Sequence, residues 1–171
     1  MPGAGRDTRG EMPRRPWRRP TTVADADDNQ QFLAAWGLDP AQWRPVGTLS
    51  TVPQRAILVW RLDGPNPAAD VALRARRAYD RLGELGVTLA AGATARGIEV
   101  TLPLARVGLV LRTLAEWAIM PDVVSVSAIP ADELRRLRRD IAAWRGRIAL
   151  EIGAAGETDP VAELRARVRT P

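Results

Sequence analysis

The period of the apolar positions changes several times along the chain, and each change marks a different element. Residues 1–24 carry almost no apolar pattern before Val23 and are punctuated by Pro2, Pro13, Pro16 and Pro20. A segment of this kind buries too little surface to offset its ordering entropy, so a disordered tail is expected. Phe32, Leu33, Trp36, Leu38 and Trp43 then form an apolar set on two short helical turns. Asp28 or Asn29 caps the first turn, Gln30 to Trp36, which Gly37 ends. Asp39 caps the second, with Pro40 at its first position. This arm, with its linker, occupies residues 25–52 and needs a surface to pack against.

Arg55 to Leu62 is the first strand. Ala56, Leu58 and Trp60 point one way, Ile57 and Val59 the other, and apolar residues on both faces predict a central strand covered on both sides. Turn chemistry follows at Asp63-Gly64-Pro65-Asn66-Pro67, with Asn66 as cap and Pro67 opening a helix. Val71, Ala75, Ala78, Leu82 and Leu85 step by three and four, which predicts a helix over Ala68–Leu85 closed by Gly86. Val87 to Ala91 alternates as a second strand, residues 92–97 turn, and Ile98, Val100 and Leu102 alternate with Glu99 and Thr101 as a third. A helix over Leu104–Met120 ends at Pro121-Asp122, and Val123 to Ile129 is a fourth strand.

Pro130 then opens a long helix running to about Ile152. Asp132 and Glu133 in its first turn favour the helix dipole. Leu134, Leu137, Ile141, Trp144 and Ile148 form a narrow seam at 3-4-3-4 spacing, with arginines at 135, 136, 138, 139, 145 and 147 around it. The tail from residue 153 is expected to fray or to add a helical turn. The order β-α-β-β-α-β is that of the α/β (α+β) ferredoxin-like sandwich, here residues 53–152, with both crossover helices on one face of a four-stranded sheet. The C-terminal helix and the arm are expected to cover the other face, or to pair across a dimer.

Composition narrows the chemistry. The chain has no histidine and no cysteine, which removes imidazole acid–base work, thiol nucleophiles, disulfides and nearly all zinc sites. Phosphate-loop and dinucleotide glycine patterns are missing too. No cofactor, no metal and no catalytic constellation is expected, and the lone carboxylates Glu99 and Asp122 read as exposed surface. Asp25-Ala-Asp27-Asp28 reads as capping, because a calcium loop would need a glycine and a glutamate where Gln30 and Trp36 stand. No apolar run approaches a bilayer span, and the absence of cysteine fits a reducing, cytoplasmic setting.

All 25 basic residues are arginine, for a net charge of +5. Four of those net charges lie in residues 1–20, so the folded part is almost neutral, which weakens any reading of the domain itself as built for nucleic acid. In the tail, Arg14, Arg15, Trp17, Arg18 and Arg19 interleave cations with an indole, a polyanion-binding candidate. The plain alternatives are a solvated tail and a true start at Met12. Trp36, Trp43, Trp60, Trp117 and Trp144 all fall on apolar phases and read as core. The partner-interface candidate is the terminal helix: Leu134, Arg135, Leu137, Arg138, Ile141, Trp144, Arg145 and Ile148.

Gly97-Ile-Glu-Val-Thr-Leu-Pro-Leu104, the following helix and the Val123-Val-Ser-Val126 strand together resemble the second half of the subtilisin-propeptide inhibitor family. The likeness covers about a third of the chain and implies the sandwich and protein binding. It does not imply protease inhibition, because Pro130-Ala-Asp-Glu-Leu opens a helix where those inhibitors present an extended tail. Asp63-Gly64-Pro65 and residues 82–89 resemble amino-acid-binding ACT domains. An RNA-recognition motif shares the element order, but Ile98-Glu-Val-Thr-Leu lacks its stacking aromatics. The sequence thus predicts a non-catalytic protein-interaction or assembly module, self-association included. The alternatives are a nucleic-acid-binding accessory protein of phage or mobile-element type and a small-ligand regulatory domain.

Overall fold

The computed structural model describes residues 23–49, 54–127, 129–144 and 147–153. Five strands form one mixed sheet: β1 (Arg55–Arg61), β2 (Ala90–Thr94), β3 (Gly97–Pro103), β4 (Val123–Ser127) and β5 (Ala149–Gly153), in the order β2-β3-β1-β4-β5. Among the first four strands every neighbouring pair is antiparallel, with Arg61 opposite Gly97 and Val59 opposite Val123. With the crossover helices α2 (Ala68–Glu84) and α3 (Val107–Glu116), this is the ferredoxin-like sandwich. β1 is central, as its two apolar faces require.

The registers sort the side chains into two faces. Ala56, Leu58 and Trp60 stand beside Ile98, Val100 and Leu102, and beside Val124 and Val126, all buried in one core with α2 and α3. Trp60 is fully buried, and its indole N–H donates to Ile119 O at 3.3 Å, so the largest core side chain carries no orphan donor. Gly97 permits the hairpin to close against β1: its φ is +145°, and a Cβ there would stand 2.2 Å from Trp60 O.

Several boundaries differ from the sequence reading. The arm begins with a single helix, α1 (Val23–Ala35), in which Asp28 and Asn29 are interior positions and not caps. Asn29 is buried and donates from Nδ2 to Thr94 O at 2.7 Å. The second turn does form, at Pro40–Gln42, with Asp39 Oδ1 accepting from Ala41 N. β2 starts at Ala90, later than expected, because Val87 and Leu89 are drawn into the core and Leu89 pairs with Val46 of the arm. α3 stops at Glu116, where Ala118 takes a left-handed φ of 55°.

The largest correction lies at the C-terminal end. The long terminal helix is α4 (Ala131–Ala142), which ends about ten residues earlier than expected, and β5 follows it. The segment from 149 to 153 has helical spacing only by extension of the seam, whereas its pairing with β4 is parallel, Val123 to Ala149 through Ser127 to Gly153. β4-α4-β5 is therefore a third crossover. α4 does not cover the second face of the sheet. It packs beside α3, where Gly108 allows Asp140 so close that a Cβ at 108 would stand 2.7 Å from Asp140 Oδ2. Leu137, Ile141 and Ile148 join the same core as α2 and α3.

Candidate functional site

Three places bring chemistry-bearing side chains together. The first is the face of the sheet turned away from that core, with Ile57, Val59, Arg61, Glu99, Thr101, Val123, Ser125 and Glu151 on it. Val59 and Val123 are the two buried apolar residues that stand outside the core cluster. Arg96, in the β2–β3 turn, pairs with Glu99 on β3 at 3.6 Å and with Glu151 on β5 at 2.9 Å. β1 and β4, with the two valines, lie between those acids. Thr94 Oγ1 also donates to Glu99 at 2.9 Å. Asp122 accepts from Arg61 N at 2.8 Å, and its own backbone joins β1 to β5 through Val59 O and Ala149 N. Glu99 and Asp122 are thus fixed structural acids, contrary to the reading of both as bare surface.

Arg61 is held bidentately by Asp63, both contacts at 2.9 Å. That hydrogen bonding, and then the charge of Asp63, raise its already high pKa, with smaller contributions from Asp122 and Glu151. Arg61 and Arg96 on this face each have an acid, while Arg55, on the same face of β1, is exposed, and among the described strand residues of this face none is aromatic.

The second place is an open cleft of ≈ 570 Å³ between the arm and α2, lined among others by Gln42, Arg44, Arg76, Tyr79 and Asp80. Tyr79 donates its hydroxyl to Arg44 O, and its ring stands 5.1 Å from that of Trp43. Burial is the main cause that pushes the Tyr79 phenol above its ordinary value; Arg76 opposes the shift and Asp80 adds to it. Arg76 lies over the Trp43 ring at 5.0 Å and is held by both oxygens of Asp80. The Trp43 indole N–H is buried without a hydrogen-bond partner. These contacts clasp the arm to α2, and the cleft offers a ligand little free charge.

The third place is α4. Arg135, Arg136, Arg138 and Arg139 are all exposed and, with Asp132, line an open groove of ≈ 550 Å³. Among the described residues none of the four arginines has an ion-pair partner. Of the interface residues expected on this helix, Leu137, Ile141 and Ile148 are buried in the chain's own core, and Leu134 and Trp144 are half-buried. The apolar seam is used internally, and only Arg135 and Arg138 of that set face outward. Arg145 lies outside the described residues, as do Arg14, Arg15, Trp17, Arg18 and Arg19 of the tail candidate.

Two tryptophans depart from the core reading. Trp36 is 40% exposed, and Trp117 is 46% exposed, with Arg81 stacked 3.7 Å from its ring centroid. Each sits just past the last residue of a helix, where an apolar phase no longer fixes direction. Among the described residues there is no group of three or more acidic or other metal-ligating side chains placed to hold a metal ion, and no helix long and apolar enough to cross a membrane. Compared with known proteins, the chain matches no family model, no curated protein and no solved structure.

Proposed function

We propose that this chain is a non-catalytic protein-interaction module whose contact surface is the arginine face of α4, and that its partner is a protein with an acidic surface. The observation that carries this reading is the set of four exposed arginines that no acid among the described residues pairs with. Like charges three and four residues apart on a helix repel one another by about 0.2–0.5 kcal/mol per pair. An acidic partner removes that repulsion and supplies the missing counter-charges. Leu137 and Ile141, anchored in the core, hold the helix backbone rigid beneath the arginines, so little order must be gained on docking. The lack of histidine and cysteine, and the pairing of the acids with structural partners, support a binding role over a catalytic one.

Nucleic acid is the second reading, favoured by the same unneutralised arginines together with those of residues 14–19. The near-neutral charge of the remaining domain and the acids on the open sheet face favour protein. Fluorescence anisotropy of the full chain with labelled poly-glutamate, and with duplex DNA of equal charge, tests both. The expected result is binding of the acidic polypeptide that weakens at least about tenfold when the four α4 arginines are changed to alanine. Unchanged affinity of that variant would overturn the reading. Tighter binding to DNA through the same arginines would replace it with the second.

A further inference from the structure

The two edges of the sheet are not alike. The β2 edge is engaged by the arm: Val46 and Leu89 exchange backbone hydrogen bonds at 3.0 and 2.6 Å, and α1 packs on β2. The β5 edge is last in the sheet, and β4 is its single neighbour among the described residues. Ala149 N donates to Asp122 O on the β4 side. Because successive residues of a strand direct their backbone groups to opposite edges, Glu151 and Gly153 also face β4, while Leu150 and Ile152 turn their N–H and C=O groups outward. Such a row is a template for a further strand.

We infer that β5 is a self-association edge, on which β5 of a second copy adds antiparallel to join two five-stranded sheets into one. The free groups select the register. A two-fold axis at Glu151 pairs Leu150 with Ile152 of the other copy, and Ile152 with its Leu150, so that all four outward groups on each strand are satisfied. A register centred on Leu150 would instead require Ile148, whose N–H is already given to Trp144 O at 3.2 Å. In the chosen register Ile152, 41% exposed, gains an apolar cross-strand neighbour.

The same axis sets the two Glu151 residues opposite each other, on the face away from the helices, where like charges destabilise a strand pair. Here each is already bonded at 2.9 Å to its own Arg96. The junction becomes an array, Arg96-Glu151-Glu151-Arg96, in which each carboxylate keeps its own cation, shared with Glu99, on its outer side. The charge that would guard this edge is compensated from within each chain. This inference does not depend on the α4 face and can fail separately from it.

Sedimentation equilibrium of the full chain, from low micromolar to several hundred micromolar, is the test. A reversible dimer is expected. Ile152→Pro deletes an outward N–H without touching the β4 ladder and should weaken the dimer by roughly tenfold or more. Arg96→Ala should weaken it by exposing the two carboxylates to each other, and adding Glu151→Gln should restore it. In this cysteine-free chain, Glu151→Cys should oxidise to a disulfide-linked dimer, whereas Glu116→Cys on α3 should not. A wild-type monomer throughout the range, or a dimer that Ile152→Pro leaves intact and Glu151→Cys does not cross-link, would overturn the inference.

Discussion

Ala118 occupies a position that most helices give to glycine. After α3 its φ is 55°, while Gly86 after α2 and Gly37 after α1 have 73° and 66°. Ile119 N donates back to Leu114 O at 3.1 Å, so the left-handed residue closes a Schellman-type cap. A side chain there costs about 1 kcal/mol, and Ala118→Gly should therefore raise unfolding free energy by about that amount in a urea titration. Tyr79, the chain's one tyrosine, gives a second test at this scale. Its phenol is neutral and raised in pKa when folded, so above about pH 10 the unfolded state releases a proton that the folded state retains. Stability should fall as pH rises through that range, until the folded phenol ionises in turn. Phenolate absorbance should follow the lag, and Tyr79→Phe should remove this part of the alkaline loss while costing about 1 kcal/mol at neutral pH for the lost bond to Arg44 O.

At the scale of elements, the alternation and three–four spacings were enough for β1, α2, β3, α3 and the sandwich order. What escaped was set by tertiary partners that a local pattern does not contain. Leu89 has strand character in either reading, but the strand begins only after it because Val46 takes its backbone bonds. Residues 149–153 continue a helical seam on paper, yet the free edge of β4 offers them a parallel ladder. Of the candidate site, the α4 arginines could be read directly; that Leu137, Ile141 and Ile148 belong to the core could not, because an apolar stripe does not say whether its cover is intra- or intermolecular. The distinction is measurable. Leu137→Ala or Ile141→Ala should cost about 2–5 kcal/mol in the monomer, whereas Arg135→Ala or Arg138→Ala should change stability by less than about 0.5 kcal/mol. Equal, small effects at all four would return the seam to the surface.

For the whole molecule, two sets of arginines have different uses. Arg61, Arg76, Arg81 and Arg96 are paired with acids of the same chain, at the end of β1, within α2 and, for Arg96, across the sheet to β5. The four arginines of α4 are left for something else. Their layer lies on the side of the sheet opposite the Arg96–Glu151 junction, so an acidic partner on α4 and a second copy at β5 can be held together. Since the first contact is between exposed charges, it should weaken as salt shortens the screening length, and the β5 pairing, made of backbone bonds and apolar contacts, should respond far less.

The most direct test follows the arginine Nε–Hε signals by NMR while poly-glutamate is added to the full chain. The account expects Arg135, Arg136, Arg138 and Arg139 to shift together, with Arg61 and Arg96 unmoved. Four unmoved signals from α4 at saturation would contradict it.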